Sequence, residues 1–332
     1  MRDPSFYLGA AAIAGGLAGC LSAALTPWVR TLALRHGAAP PPRDRDVHRE
    51  PVARWGGIAI FVAFAVSLLL AALVVHFLFG RPITERTLRA GIGLVLAGTI
   101  LSIVGAIDDR YDLSPGKQMA AQVLCSVLVM WFGVRIEFVS NPFGEGMISL
   151  GWLSWPITLM WLIAVSNAVN WFDGIDGLAA GVSAISAVFL ALMAAWSSQP
   201  GLTIFAAALG GSLLGFLRFN FNPAKIFMGG GAPVVGFILA SISTVGAFKA
   251  PVALAVAIPV LVLALPLFDT ATVITRRWRE GRPIYKADKS HLHHRLMELG
   301  FSQRQTVLIL YGVSLSFCLV AFGVFLLTSS RG

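Results

Sequence analysis

Charge is scarce in this sequence. Only 12% of its 332 residues are Asp, Glu, Lys or Arg, about half the ~25% usual in a soluble domain. Meanwhile 57% are hydrophobic and the mean hydropathy is +0.78. A water-soluble fold of this size cannot hide so much apolar surface, so lipid must serve as solvent for much of it. Cysteine is scarce as well. Cys20, Cys125 and Cys318 lie in apolar runs and form no CxxC pair, which excludes a disulfide framework and gives no zinc signature. No HExxH motif, internal repeat or low-complexity tract is present. No Lys/Arg-rich region precedes the first apolar stretch, so that stretch is expected to be a retained span rather than a cleaved leader.

What the chain does have is a succession of apolar segments, each long enough to approach the ~30 Å of a bilayer core. Ten are expected, at 6–25, 56–79, 88–107, 118–132, 153–169, 177–195, 203–219, 233–247, 251–268 and 306–327. An eleventh would require a split or re-entrant segment. The fold class is therefore an all-α polytopic membrane protein of 10–11 spans. It forms a single domain over 1–332, with its motifs within about 45–300. The outer loop 133–152 alternates around Ile136, Phe138 and Val139 and then carries Asn141-Pro142-Phe143-Gly144, which predicts a small hairpin on the outer surface.

Loop charge orients the bundle. The loops on one side hold 18 of the 25 Lys and Arg residues, which assigns that side to the cytoplasm and both termini to the outside. The formal charge of +9 has this topological cause and does not imply a nucleic-acid partner. His76 and Lys249 are expected at the outer interface, with structural and snorkelling roles. The acidic residues are more telling, because the topological rule does not govern them. Twelve of 16, and every histidine except His76, fall on the cytoplasmic side. Short acidic loops against helix ends suit a metal and a phosphorylated ligand.

Four clusters carry the chemistry. Asp108 and Asp109 are adjacent carboxylates that a divalent cation or Lys117 would relieve; the plainer alternative is a solvated helix end. Asn167 and Asn170 share a helix face, and Asp173 and Asp176 follow, so four oxygen donors within ten residues suit Mg²⁺. Gly174 and Gly177 allow close approach or a tight turn. Asn220 through Gly231 ends in three glycines whose N–H groups could face an anion, or merely form a flexible loop. His291-Leu292-His293-His294-Arg295 lies beside Arg276, Arg277, Arg279, Arg282, Lys286 and Lys289. This cationic group fits phosphate oxygens or sugar hydroxyls, or lipid headgroups.

Taken in order, these motifs resemble the polyprenyl-phosphate N-acetylhexosamine-1-phosphate transferase family. The resemblance runs through His48…Arg54-Trp55-Gly56-Gly57, Gly105-Ala106-Ile107-Asp108-Asp109…Lys117, Asn167 to Gly177, Asn220 to Gly229, Leu265-Pro266-Leu267-Phe268-Asp269 and His291 to Arg295. The His-x-His-His form is closest to the branch that serves teichoic acid, enterobacterial antigen and O-antigen synthesis. The resemblance implies a bacterial inner-membrane enzyme with its site on the cytoplasmic face. It would move N-acetylhexosamine-1-phosphate, as GlcNAc-1-phosphate, from a UDP-sugar to undecaprenyl phosphate and release UMP. Mg²⁺ is the implied cofactor, with Mn²⁺ as the alternative ion, and a homodimer is compatible with it. Asp108 and Asp109 would position or deprotonate the lipid phosphate beside Lys117. Asn170, Asp173 and Asp176 would form the metal and catalytic centre. Asn220, Phe227 and Gly229 would hold the nucleotide, and His291, His293, His294 and Arg295 the diphosphate and sugar. One departure stands out. The family carries a metal-binding Asp after Met-Gly, whereas this chain reads Met228-Gly229-Gly230-Gly231. The second expectation is therefore an impaired member that binds polyprenyl phosphate or nucleotide sugar without turnover; a transporter, with polar groups at midplane, ranks last.

Overall fold

The computed structural model describes residues 4–39, 51–79, 84–140, 146–245, 257–281 and 291–329. His48, Lys249, Arg282, Lys286 and Lys289 lie outside them, as does the side chain of His76. The chain is a helical bundle: α1 (Pro4–Arg35), α2 (Gly56–Phe79), α3 (Glu85–Tyr111), α4 (Pro115–Trp131), α5 (Ser154–Phe172), α6 (Leu178–Trp196), α7 (Pro200–Asn220), α8 (Ala232–Val245), α9 (Ala257–Val262), α10 (Ala264–Arg279), α11 (Leu292–Glu298) and α12 (Gln303–Ser329). Seven of these helices (α1, α2, α3, α5, α6, α7 and α12) are long and apolar enough to cross a bilayer. The helices α4 and α8 are shorter, with 17 and 14 residues. Between α4 and α5 sits the expected hairpin, β1 (Phe138–Ser140) antiparallel to β2 (Met147–Ser149), with Val139 opposite Ile148.

The ninth apolar segment, read as one span, contains a break. Pro266 cannot donate a backbone hydrogen bond to the carbonyl four residues earlier, which is that of Val262. A bare carbonyl at membrane depth is costly, and here the Ser186 hydroxyl donates to it at 2.9 Å, with the Cys318 thiol at 3.7 Å. α9 therefore stops at Val262, and α10 starts afresh at Ala264 with Pro266 in its first turn, where the missing N–H does no harm.

The long helices pack through small residues, since lipid supplies no hydrophobic drive between helices and close van der Waals contact must serve instead. α1 crosses α7 where Gly15 meets Ala207 and Gly211, and Gly19 meets Gly211 and Gly215. A methyl on Gly211 would collide with the Gly15 carbonyl. α8 lies in the interior and seats Gly236 on Val165 and Ser166 of α5, where the Ser166 hydroxyl donates to the Pro233 carbonyl at 2.7 Å. α6 and α7 complete the interior with Leu190, Ala194, Leu209 and Leu213, all fully buried.

Replacing Gly211 with Val should part α1 from α7 and destabilise the bundle by about 2 kcal/mol or more. Thermal unfolding in detergent measures this, and an unchanged melting temperature would contradict the close packing.

Candidate active site

All four sequence clusters converge at one end of the bundle, where α3, α5 and α7 finish and α6, α8 and α12 begin. The frame is backbone on backbone. Phe227 N–H donates to the Ala53 carbonyl (2.8 Å), Gly56 N–H to that of Phe227 (2.9 Å) and Gly57 N–H to that of Met228 (3.1 Å). Trp55, at φ +76°, turns its indole N–H onto the Ala106 carbonyl at 3.1 Å. The start of α2, the 226–231 segment and the end of α3 are thereby laced together.

That lacing explains the glycine triple. Gly230 lies on the backbone of Gly105, and Gly231 on Gly57. Gly229 has φ +59°, and a Cβ there would lie 2.5 Å from the Asp109 carboxylate. No side chain, and hence no Asp, fits at any of the three without moving α2, α3 or Asp109. The nearly buried Asp109 instead reaches into this segment, where Gly230 N–H donates to both its oxygens at 3.0 Å.

Asp108 shapes the turn between α3 and α4: its Oδ1 accepts from Leu113 N–H (2.9 Å) and from the Gln118 amide (2.8 Å). Lys117 is exposed in the first turn of α4 and makes no ion pair with either aspartate among the described residues. The cation nearer these carboxylates is Arg54, which lies within electrostatic reach of Asp108, Asp109 and Asp173.

The Asn-Asp cluster divides into two kinds of residue. The Asn167 amide donates to Gln122 Oε1 (2.7 Å) and the Ile163 carbonyl (2.9 Å), tying α5 to α4. Asp176 is buried, and its Oδ2 accepts from the Asn222 amide (3.0 Å) and Ala224 N–H (2.9 Å), which holds the 222–224 turn in place. Asn220 is fully buried: it accepts from Gly177 N–H at 3.1 Å and donates to the Ile226 carbonyl at 2.9 Å. By contrast, the side chains of Asn170 and Asp173 make no hydrogen bond among the described residues, so their oxygens are free for a ligand. Protein atoms crowd the Asp173 carboxyl, and that burial raises its pKa to about 7; Arg54 opposes the rise and Asp176 adds to it.

Phe227 is half-buried, with its backbone in the lacing described above. The histidines sit on α11 and just before it. His291 and His293 are buried, His294 is half-buried and Arg295 is exposed. Arg277 of α10 is also buried, with its guanidinium 5.7 Å from the Trp171 ring.

No group of three or more His, Cys, Asp or Glu is arranged to hold a metal ion among the described residues. The donor types nonetheless suit a hard divalent cation, because the side chains of Asn170 and Asp173 carry oxygens that no hydrogen bond uses among the described residues, and Asp173 lies within electrostatic reach of Asp109.

The family model for glycosyl transferase family 4 matches residues 91–247. Across 298 residues, 90% of this chain and 80% of the relative, the sequence is 35% identical to a protein of Bacillus subtilis (strain 168) named probable undecaprenyl-phosphate N-acetylglucosaminyl 1-phosphate transferase. The chain belongs to glycosyl transferase family 4. A Mycolicibacterium smegmatis relative, decaprenyl-phosphate N-acetylglucosaminephosphotransferase, is 35% identical over 94% of the chain and 80% of its own length. The undecaprenyl-phosphate alpha-N-acetylglucosaminyl 1-phosphate transferase of Escherichia coli (strain K12) is 28% identical over 85% and 75%.

Two residues at this end of the bundle were visible in motifs yet given no role by the sequence alone. Arg54 stood next to Trp55-Gly56-Gly57, and Asp269 was a lone carboxylate in an apolar helix. A carboxylate in such a setting needs a partner, and the partner, His291, is 22 positions away.

Gly230→Asp should unfold or strongly destabilise the protein, by about 2 kcal/mol or more, rather than tighten Mg²⁺ binding. Yield of folded protein and Mg²⁺ titration distinguish the two outcomes. The raised pKa of Asp173 makes a second prediction. Folding takes up a proton between the ordinary carboxylate range and pH 7, so metal-free stability falls as pH rises through that window. Asp173→Asn should then melt several degrees above wild type at pH 8 in EDTA, and the gap should close toward pH 4. A gap independent of pH would mean that Asp173 is not desolvated.

Proposed function

We propose that this chain transfers N-acetylglucosamine-1-phosphate from its UDP-sugar to undecaprenyl phosphate, leaving a polyprenyl-diphospho-sugar in the membrane and releasing UMP. The observation that carries the reading is the approach of Asp109 and Asp173 to each other and to Arg54, at the bundle end where the sequence places the Lys- and Arg-rich loops. Those loops support a cytoplasm-facing site in a bacterial inner membrane. The printed names of the relatives support the donor and the lipid acceptor.

Phosphoryl transfer needs positioning and charge neutralisation more than covalent help. An oxygen of the lipid phosphate attacks the sugar-side phosphorus; the bond to the bridging oxygen breaks, and its electron pair leaves with UMP. Bound Mg²⁺ supplies charge neutralisation for the diphosphate. On this reading Asp173 and Asn170 hold the ion, with Asp109 beside them. Asp108 and Asp109 orient the lipid phosphate or take its proton, and Arg54 keeps the carboxylates from repelling one another. Asn220 and Asp176 shape the 220–227 loop, so that Phe227 and Gly229 can meet the nucleotide. His294, Arg295 and Lys117 supply donors to phosphate and sugar oxygens.

Purified protein given UDP-GlcNAc should release UMP only when undecaprenyl phosphate and Mg²⁺ are both present. Asp173→Asn should lower kcat about a hundredfold or more while leaving the yield of folded protein unchanged. Wild-type protein that binds either substrate but releases no UMP would overturn the transferase reading in favour of a binding protein.

A further inference from the structure

A carboxylate that binds a cation has to be held in place while its oxygens stay free, so its neighbours must do the holding. Asp173 meets this condition, and the turn that carries it is gripped from two sides. On one side Asp176 binds the 222–224 turn. On the other side is His293. A Cβ on Gly174 would lie 2.5 Å from His293 Nε2, so the imidazole occupies the space that any larger residue at 174 would need.

His293 is itself held from behind. Asp269, on the buried face of α10, binds His291 Nδ1 through Oδ2 at 2.7 Å and accepts Leu292 N–H on Oδ1 at 2.8 Å. The contact to Nδ1 makes that nitrogen the proton-bearing one. The bond to Leu292 N–H satisfies an amide at the start of α11, a seven-residue helix too short to stand alone. The His291 ring stacks on that of His293, with centroids 5.6 Å apart and planes at 11°, and His294 follows at 4.3 Å. His291 is 7% exposed and His293 only 1%, so neither presents a face to a substrate. Both ring nitrogens of His293 lack a hydrogen-bond partner among the described residues. Burial and the two flanking histidines push its pKa down to about 3, so the ring is neutral. An unpaired buried polar ring is a liability to the fold, and it sits where its shape seats the turn.

We propose that Asp269, His291, His293 and Gly174 form a buried brace that positions the Asp173 turn, leaving His294 and Arg295 as the members of the His-x-His-His-Arg motif that meet substrate. The brace runs from α10 through the start of α11 to the residue after Asp173. Asp269 and Gly174 are positioning residues, and their effect is felt at the cation site. This rests on the reading of Asp173 as a cation ligand.

The test uses the full-length protein in detergent, with two readouts: UMP release against Mg²⁺ concentration, and the Mg²⁺-dependent rise in melting temperature without substrates. Gly174→Ala and Asp269→Asn should each raise the half-saturating Mg²⁺ concentration about tenfold in both readouts. KM for UDP-GlcNAc and for undecaprenyl phosphate should stay within about twofold. Arg295→Ala should do the reverse, raising KM for UDP-GlcNAc without moving the Mg²⁺ midpoint. If Gly174→Ala does not fold, Asp269→Asn and His293→Ala carry the test. Unchanged Mg²⁺ midpoints in the folded variants would overturn the brace, as would a proportional rise in every constant. A wild type without turnover would sink the transferase reading alone, because the thermal midpoints still judge the brace. A wild type whose melting temperature ignores Mg²⁺ would overturn the brace directly.

Discussion

Inside a bilayer every backbone N–H and C=O must find a protein partner, because no water is there to take its place. That constraint makes the chain helical, and it also decides where irregular backbone can occur. Irregular backbone gathers at the helix ends, where α3, α5, α6, α7 and α8 meet, and many of the freed groups there have partners. The 53–57 and 226–231 segments bond to each other, Asn220 serves Gly177 and Ile226, and Asp176 serves Ala224. Where proline breaks a helix at depth, Ser186 takes up the carbonyl left behind.

The same accounting sorts the polar residues of the site. Those whose side chains bond the fold (Asp108, Asn167, Asp176 and Asn220) build the frame, with Asp176 keeping one buried oxygen, Oδ1, unpartnered among the described residues. The side chains of Asn170 and Asp173 have no such duty among the described residues. Asp109 has its oxygens on Gly230 N–H and its charge beside Arg54 and Asp173. The glycine triple belongs to this frame. Its lack of side chains lets α2 and α3 approach the start of α8, and it gives Asp109 the backbone N–H that an acidic residue at 230 would have displaced.

Much of this was legible in the sequence. Apolar length marked the helices, the hairpin followed from Pro/Gly punctuation, and the clustering of Asp and His in loops of one side marked the bundle end where the Asp, Asn and His clusters meet. The break between α9 and α10 was not read, because a proline in a helix is tolerated or fatal according to what satisfies the freed carbonyl, and Ser186 is 76 positions away from Val262. The division of labour among the aspartates was equally hidden. Asp173 and Asp176 look alike as residues, and only the nearness of the 222–224 turn separates them.

The sequence by itself determined the solvent, the class of fold, the end of the bundle where the Asp, Asn and His clusters gather and the kind of donor atoms found there. These depend on composition and on the order of residues along single helices. Tertiary structure alone decided which carboxylates bind the turns of the frame and which histidines are buried, that Arg54 rather than Lys117 is the cation near the aspartates, and that no side chain fits between Met228 and Ala232. Each of these depends on a contact between residues far apart in the chain, made through short-range hydrogen bonds and steric exclusion that leave no periodic trace in the sequence.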